Sequence, residues 1–432
     1  MSLLRNVAGM LLTSAVTIPI GLATSILLAR FLSVEDRGLY AVVTAFAMLG
    51  AALARFGWPA ASIHLLRRRG VQPARVAGAS LATAVVLSAL ILGLCAAFQP
   101  VITKRLLNDA SPTLLALAAL LIPLHLLTFF YSAIARGIDR FPIQNWNGFL
   151  HSAGSLLVVT GVLVFGSGTL AGVLAALVAL RLALTAGLIG AVVRHTGINW
   201  RLRGAELRDG LRFGLKSRFQ ALAGMLHERI DVFMLAFLLA DPAQVAYYAI
   251  AVGVIERVKL APGAFAAATF PEVAGLPERE AARLVCTVSR QSTVLLAGTV
   301  LLLGAVAPLL IPLVYGEPYA ASIAPFAILL PGTALLGIYS VLGRYFAGID
   351  RQQVNIATQG VSVAVNIGLN LWWIPIWGIT GAAAASLVSY SLEAALITAV
   401  FVRSSGRGLG ELFVIGRDDV EAYRRRVASW LS

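Results

Sequence analysis

The chain has 432 residues, of which 59% are hydrophobic and only 12% are charged. Soluble domains carry about 25% charged residues, so this composition, with a mean hydropathy of +0.86, excludes an ordinary soluble protein. The formal net charge of +14 would suggest nucleic-acid binding in a soluble chain. Here the basic residues lie mostly in loops between apolar segments, where membrane sorting accounts for them, and we expect no nucleic-acid partner.

Apolar runs of about 20 residues, each long enough to cross a bilayer core of about 30 Å, recur along the whole chain. The first, Val7 to Leu28, is too long for the core of a signal peptide and is kept as a membrane segment. The sequence predicts an all-α integral membrane protein with about twelve transmembrane helices, over residues 7–29, 39–63, 77–98, 113–135, 145–166, 169–193, 213–239, 246–271, 292–315, 322–345, 353–375 and 379–402.

A weak repeat divides the chain near its middle. Residues 28–32 lead through a short polar turn to residues 40–41, and residues 235–239 lead through a similar turn to residues 248–249. Both turns follow the first helix of a six-helix half and face the same side, which predicts two parallel halves around a central cavity. The expected organisation is an N-terminal half at 1–193, a cytoplasmic connecting loop at 194–212, a C-terminal half at 213–403 and a cytoplasmic tail at 404–432.

The tail carries Val420, Tyr423, Val427 and Trp430 at steps of three and four, with arginines at 424–426 between them. This pattern predicts an amphipathic helix on the anionic cytoplasmic leaflet, and partner binding is the alternative interpretation.

The distribution of Lys and Arg over the loops predicts the orientation. One side carries only Arg30, Arg37, Lys104 and Arg105. The other side, which we name the arginine-rich side, is therefore cytoplasmic, and both termini lie on it. It carries Arg5, Arg67, Arg68, Arg69, Arg75, Arg136, Arg140, Arg194, Arg201, Arg203, Arg208, Arg212, Lys216, Arg279, Arg283, Arg290, Arg344, Arg351 and the basic residues from Arg403 onward.

The apolar hairpin from Phe213 to Pro271 contains too many charged residues for an ordinary pair of membrane segments. A charge near the bilayer centre costs roughly 2.5–3.5 kcal/mol on insertion scales and usually faces a bundle interior or a wet cavity. Residues equally far from the turn at Asp241 lie at equal depth. Arg229 and Glu256 are each about ten residues, or roughly 15 Å, from that turn, and Glu228 and Arg257 form a second such pair.

Several motifs resemble the oligosaccharide (polysaccharide repeat-unit) flippases of the multidrug/oligosaccharidyl-lipid/polysaccharide exporter superfamily. The resemblance covers essentially the whole chain, and two positions depart from it, Arg37 in the first loop and Val245-Ala246 before the paired tyrosines. The chain also lacks two helices of the peptidoglycan-precursor branch. The matching residues are Leu28 to Arg30, Gly38 to Ala41, Arg229 to Asp231, Tyr248 to Ala251, Pro271 to Val273, Tyr315, Gly316, Pro331, Gly348, Asn366, Leu369, Asn370, Ile374, Pro375, Gly378 and Gly381 to Ala383.

The resemblance implies a flippase of the bacterial inner (plasma) membrane that moves a polyprenyl-diphosphate-linked oligosaccharide to the outer leaflet by alternating access. Lipid-linked oligosaccharide and membrane lipids are the expected partners, with a coupling cation (H+ or Na+) and polysaccharide assembly enzymes as further candidates and no cofactor. Arginine suits the diphosphate because its planar fork bonds phosphate oxygens bidentately. The substrate-binding candidates are Arg55, Arg218, Arg229, Arg257 and Lys259, and Glu228, Asp231 and Glu256 are candidates for coupling or structural ion pairs.

Each candidate has a structural alternative. Arg218 is near enough to the cytoplasmic surface to snorkel, and Arg229 with Glu256 can be a helix-tying salt bridge. Asn366 and Asn370 are expected to hydrogen-bond a neighbouring helix. Arg30 is expected to anchor the outer interface, His227 and Asp231 form a weak candidate pair for proton coupling, and His125 and His151 are interpreted as isolated core histidines.

Two other functions compete. A cation-coupled drug exporter shares the expected fold, but the excess of basic over acidic groups in the spans argues against it. A glycan polymerase or ligase needs a sizeable outer loop with catalytic residues, whereas the loop from Gln99 to Pro112 offers only Lys104, Arg105 and Asp109 as charged groups. The sequence shows no metal-ligand spacing, and Cys95 and Cys286 lie apart, so no enzyme activity and no metal site are expected.

Overall fold

The computed structural model describes residues 2–107, 110–166, 168–201, 203–239, 241–258, 273 and 276–414. Side chains are described within these ranges except at 2–12, 14–15, 105–106, 215–229 and 257–258. Every regular element in the described part of the chain is helical, which confirms the predicted all-α class.

The chain divides into two compact units. The first unit comprises Met1–Ala246 with Val314–Gly316, and the second comprises Tyr247–Leu313 with Glu317–Ser432.

The helices of the first unit follow the hydropathy pattern closely, with some extending beyond the predicted apolar core. After α4 the chain makes short helical turns at Gln99–Val101 and Ile102–Leu106, and after α6 a π-helical turn at Gly161–Phe165. The elements are α1 Ser2–Phe31, α2 Val34–Ala54, α3 Trp58–Arg67, α4 Pro73–Ala97, α5 Pro112–Gly137, α6 Phe141–Thr160, α7 Leu170–Thr196 and α8 Gly204–Leu239, followed by α9 Pro242–Val258, which continues into the second unit.

The second unit contains two helices far longer than one predicted span. A short 3₁₀ segment, Glu317–Ser322, precedes α11. The elements are α10 Glu278–Tyr315, α11 Ile323–Gly348, α12 Gln352–Ser405 and the short α13 Leu409–Phe413.

The 54-residue α12 contains two predicted membrane segments, 353–375 and 379–402. Gly378 separates them with φ 58° and ψ −134°, a conformation that residues with a Cβ rarely adopt. A Cβ at Gly381 would lie 2.3 Å from the carbonyl oxygen of Trp373. The two glycines thus let the chain fold back on itself between the two membrane segments of α12.

Eight helices among the described residues are long and apolar enough to cross a membrane, and shorter apolar segments lie at Val16–Phe31 and Ile230–Leu239. This result agrees with a polytopic membrane protein. The predicted span 246–271 is described only as far as Val258, and Val420, Tyr423, Val427 and Trp430 of the predicted tail helix lie outside the described residues.

The single helix predicted over residues 39–63 is wrong, because the chain bends between α2 and α3. Phe56 has φ 40° and Gly57 has φ 73°. A Cβ at Gly57 would lie 2.1 Å from the carbonyl oxygen of Gly214, and one at Gly214 would lie 2.7 Å from the carbonyl oxygen of Gly57. The bend therefore lets the backbone at the start of α3 lie close to the backbone of α8.

Buried aromatic residues join the helices that surround this bend. Trp58 on α3 donates its indole N–H to Ser80 Oγ on α4 at 2.8 Å. Tyr131 on α5 donates its hydroxyl to the carbonyl oxygen of Ala77 at 3.1 Å. Because these polar tips are satisfied inside an apolar cluster, the rings fix the spacing of α3, α4 and α5.

An ionic cluster on the arginine-rich side holds the first turns of α8 against α3. Arg69 donates from Nε and Nη2 to the two oxygens of Asp209 at 2.7 and 2.8 Å, and His64 Nε2 lies 3.2 Å from Asp209 Oδ2. The His64 ring also stacks on Phe213 at 4.2 Å between centroids. The hydrogen bond from Arg69 lowers the pKa of Asp209 to about 2, which makes this carboxylate a persistent anion.

Candidate functional site

Arg55 occupies the bend at the end of α2. Its backbone N–H still donates to Ala51 at 3.1 Å, and its partly exposed guanidinium lies 4.9 Å from the centre of the Phe129 ring on α5. It forms no ion pair with a described carboxylate. A cation on an aromatic face keeps its charge and its hydrogen-bond donors available for another group.

Phe129 connects Arg55 to a histidine. The ring of His125, one turn earlier on α5, lies 6.4 Å from that of Phe129. His125 Nδ1 lies 2.7 Å from the carbonyl oxygen of Leu121. Since a carbonyl can only accept, Nδ1 carries the proton and Nε2 is the nitrogen left for other contacts.

Two hydrogen bonds set the register of α5, α6 and α7. The hydroxyls of Thr128 on α5 and Thr185 on α7 lie 3.1 Å apart. On α6, Asn147 donates from Nδ2 to the carbonyl oxygen of Leu184 at 3.0 Å. One turn away from these contacts, each helix carries a basic side chain at the same depth.

These side chains, His125, His151 and Arg181, are named the basic cluster. Arg181 interacts electrostatically with both imidazoles. All three are partly exposed, and they lie about 10 to 12 residues, or roughly 15–18 Å, from the nearer ends of the membrane segments Pro112–Gly137, Phe141–Phe165 and Leu170–Thr196. The cluster is therefore deep within the membrane segments.

Two members of the basic cluster have buried nitrogens that no described residue satisfies. Arg181 Nε and His151 Nδ1 are buried without a hydrogen-bond partner, and Arg181 forms no ion pair with any described residue. Buried polar atoms without partners are uncommon because each costs about 1–3 kcal/mol. The unsatisfied nitrogens point to a group that the described residues do not supply.

The interpretation of His125 and His151 as isolated, satisfied core histidines is right for the hydrogen bond of His125 to Leu121 and wrong in two respects, because both rings interact electrostatically with Arg181 and Nδ1 of His151 is unsatisfied. The sequence does contain a signal for this arrangement, which is the distance of each residue from the end of its predicted helix. His125, His151 and Arg181 lie about 12 to 15 residues from the outer ends of the predicted helices 113–135, 145–166 and 169–193, hence at similar depth.

The charged hairpin is described only in part. Asp231 on α8 is 3% exposed, and Glu256 on α9 is partly exposed. The side chains of the remaining predicted members, Arg218, Glu228, Arg229, Arg257 and Lys259, with His227, lie outside the described residues.

Polar residues in the second unit form a contrasting network across the two segments of α12. Asn366 donates from Nδ2 toward Ser386 Oγ at 3.4 Å and Ser389 Oγ at 3.2 Å, and Asn370 donates to Asn366 Oδ1 at 3.0 Å. Ser362 donates to the carbonyl oxygen of Ser389 at 2.7 Å. The prediction that Asn366 bonds a neighbouring helix is confirmed.

Among the described residues no group of three or more His, Cys, Asp or Glu side chains has the arrangement of a metal site. Cys95 and Cys286 are both buried and unpaired as thiols.

Comparison with protein-family models matches residues 27–324 to the family described as "Polysaccharide biosynthesis protein". A search of curated proteins returns no match.

Solved structures of membrane transporters are similar in fold. A multidrug resistance MATE family transporter of the MOP superfamily, in an inward-facing conformation, matches with a TM-score of 0.72 and 16% identity over 90% of this chain and 94% of that one. The lipid II flippase MurJ, in an inward closed conformation, matches with a TM-score of 0.73 and 12% identity over 93% and 88%.

A MOP superfamily transporter from Pyrococcus furiosus Vc1 (DSM3638), described as having a binding pocket of reverse polarity, matches with a TM-score of 0.64 and 14% identity over 94% and 95% of the two chains. At these identities the similarities establish the fold alone.

Proposed function

Because the chain belongs to the polysaccharide biosynthesis protein family, we propose that it is a flippase that carries a polyprenyl-diphosphate-linked oligosaccharide from the inner to the outer leaflet. The product serves surface polysaccharide assembly. Transport proceeds without catalysis, by alternating access between the half at 1–193 and the half at 213–403.

The observation that carries this proposal is the pair of membrane-embedded arginines that have no acidic partner among the described residues. Arg55 and Arg181 form no ion pair with any described residue. Leaving a guanidinium uncompensated at this depth costs several kcal/mol, so an anionic ligand is the simplest reason to retain two of them. A diphosphate supplies the negative oxygens that a guanidinium fork bonds best.

The proposed binding path extends beyond the described side chains. Arg55 is joined there by Arg218, Arg229, Arg257 and Lys259, which the sequence places in the hairpin that follows the connecting loop. Glu228, Asp231 and Glu256 serve as coupling or structural ion pairs, with H+ or Na+ as the coupling cation.

The contacts of α8 are the ones that the proposed cycle has to change. The repeat places residue 213 at the start of the C-terminal half, and in the structure α8 packs on α3 through Gly57 and Gly214 and through the Asp209 cluster. Opening toward the arginine-rich side would separate these contacts, while polysaccharide assembly enzymes would receive substrate at the opposite side.

A second candidate is a cation-coupled drug exporter, favoured by the structural similarity to the MATE transporter. The buried carboxylates of Asp231 and Glu393 would then be the groups that bind cationic drugs. Asp231→Asn or Glu393→Gln would abolish drug resistance in that case, and Arg55→Ala would leave it intact.

The experiment that tests the flippase proposal is deletion of the gene, followed by separate measurement of surface glycan and of lipid-linked repeat units. We expect surface glycan to disappear and repeat units to accumulate on the inner leaflet, with both effects reversed by the wild-type gene. Intact glycan with a new sensitivity to cationic drugs would instead identify the exporter.

The proposed location is the inner membrane with both termini in the cytoplasm, and single cysteines can test it. Lys104, Arg140 and Glu317 are exposed positions between the predicted membrane segments, which suits them to substitution. In a background with Cys95 and Cys286 replaced by alanine, Lys104→Cys and Glu317→Cys should react with an impermeant thiol reagent in intact cells. Arg140→Cys should react only after the membrane is permeabilised, and labelling of it in intact cells would reverse the orientation.

A further inference from the structure

We propose that His125, His151 and Arg181 form a diphosphate-binding subsite inside the first unit, separate from Arg55 and from the charged hairpin. That the diphosphate is the headgroup of the lipid-linked oligosaccharide rests on the proposed function. The subsite itself rests on three basic side chains from three helices that meet at one depth.

The local packing argues against a purely structural role. The polar groups that align α5, α6 and α7 already bond one another, Thr128 with Thr185 and Asn147 with the carbonyl oxygen of Leu184. Arg181 takes part in neither contact. Since the register is set without it, Arg181, whose buried Nε is unsatisfied, adds desolvation cost and no described hydrogen bond.

The donor set suits a diphosphate more than a single phosphate. A guanidinium presents five N–H donors in a planar fork, and the two imidazoles add ring nitrogens from the neighbouring helices. His125 donates its Nδ1 proton to Leu121, so its Nε2 donates to a phosphate oxygen only when the ring is protonated, a form that a bound anion stabilises, whereas His151 has Nδ1 unsatisfied. Two linked phosphate groups provide enough oxygens for all three side chains, and one phosphate provides fewer.

The subsite and Arg55 lie along one path. The Arg55 guanidinium lies 4.9 Å from the centre of the Phe129 ring, and that ring lies 6.4 Å from the ring of His125. An anion leaving Arg55 therefore meets the basic cluster within about one aromatic side chain's width. Arg55 and the basic cluster therefore bind one headgroup in succession.

The test is binding to the purified full-length protein in nanodiscs. The probes are a long-chain polyprenyl diphosphate, the matching polyprenyl monophosphate and phosphatidylglycerol. The variants are Arg181→Met, Arg181→Lys and His151→Gln, with Arg194→Met as control, because Arg194 lies on the same helix but is exposed at its end.

We expect Arg181→Met to weaken polyprenyl diphosphate binding by about 10- to 100-fold, the equivalent of one lost charge-assisted fork. Arg181→Lys and His151→Gln should lose less, and Arg194→Met should bind like the wild type. The monophosphate should lose less affinity than the diphosphate. Unchanged diphosphate binding in Arg181→Met, or a loss as large for phosphatidylglycerol, would overturn the proposal.

Thermal unfolding of the ligand-free protein gives an independent readout. Replacing a partly buried cation that has no ion pair among the described residues with an apolar side chain should leave the melting temperature equal or raise it. A lower melting temperature, or failure to fold while His151→Gln folds and binds normally, would show that Arg181 is structural. Gene deletion can also leave the surface glycan unaffected while diphosphate binding depends on Arg181. That combination would overturn the proposed function and support the subsite.

Discussion

The basic cluster of the first unit and Asn366 of α12 are both polar groups placed among membrane helices, and Asn366 and Arg181 differ in hydrogen-bond satisfaction. In α12, Asn366 bonds two serines and Asn370, so donors and acceptors come from the same helical pair. In the basic cluster, Arg181 and His151 keep buried nitrogens without partners. Polarity at membrane depth therefore does not identify a functional site, whereas unsatisfied charge points to one.

The two regions should respond oppositely to mutation. Removing a satisfied group leaves its partners unpaired in an apolar surrounding and destabilises the fold. Removing an unsatisfied cation relieves desolvation and harms only the step in which a ligand would have paired with it. Removing a satisfied group should therefore lower stability, whereas removing an unsatisfied cation should lower transport without lowering stability.

The largest effect is expected for Arg55→Ala. Loss of one charge-assisted contact to the diphosphate, about 1.5–3 kcal/mol, predicts transport slower by about 10-fold or more at a normal protein level. Arg55→Lys should restore part of the rate, because lysine keeps the charge without the fork. Arg140→Ala, an exposed arginine, is the control, and wild-type surface glycan in Arg55→Ala cells would make Arg55 structural.

Asn366→Leu tests the satisfied side of the comparison. The substitution keeps a similar volume and removes the hydrogen bonds to Ser386 and Ser389, so the free energy of unfolding should fall by about 1–2 kcal/mol. A lower melting temperature in detergent, with normal transport per folded molecule, is the expected result. Gln353→Leu at an exposed position of the same helix should change neither, and lost transport at an unchanged melting temperature would contradict the comparison.

The sequence predicts the helices and the role of Asn366 because both depend on local rules. Hydropathy over about 20 residues locates a membrane segment, and a buried amide on an apolar helix has few partners except a neighbouring helix. The bend at Phe56 and Gly57 was missed because its cause is Gly214, which is distant in sequence. The convergence of His125, His151 and Arg181 likewise depends on register between three helices, which hydropathy does not encode.

The hairpin offers a third case, in which pairing is predicted from depth alone. If Arg229 and Glu256 face each other, either single charge reversal leaves two like charges together in the membrane, and the exchange Arg229→Glu with Glu256→Arg should recover part of the loss. Expression level and melting temperature of the two single variants and the double variant measure the coupling. A double variant no better than the worse single one would show that the residues do not pair.

The smallest effect is expected at the ionic cluster on the arginine-rich side, where a charged group is satisfied and partly exposed. The pKa of Asp209, about 2, lies below the ordinary value of 3.8. The Asp209 carboxylate therefore binds a proton less readily in the folded state than in the unfolded state. The stabilisation is complete above about pH 4 and is lost as the pH falls toward about 2. Asp209→Asn should therefore flatten the decline in melting temperature over this interval.

Arg69→Met should flatten the same decline, because the hydrogen bond from Arg69 is the main cause of the low pKa of Asp209. If the contact also has to open during transport, the two variants share a second consequence, a faster opening toward the arginine-rich side. Identical pH profiles for the wild type and Asp209→Asn would show that the Asp209 contact contributes nothing to the folded state. A flattened profile with an unchanged transport rate would show that α8 and α3 stay together through the cycle, and that the moving boundary lies after α8.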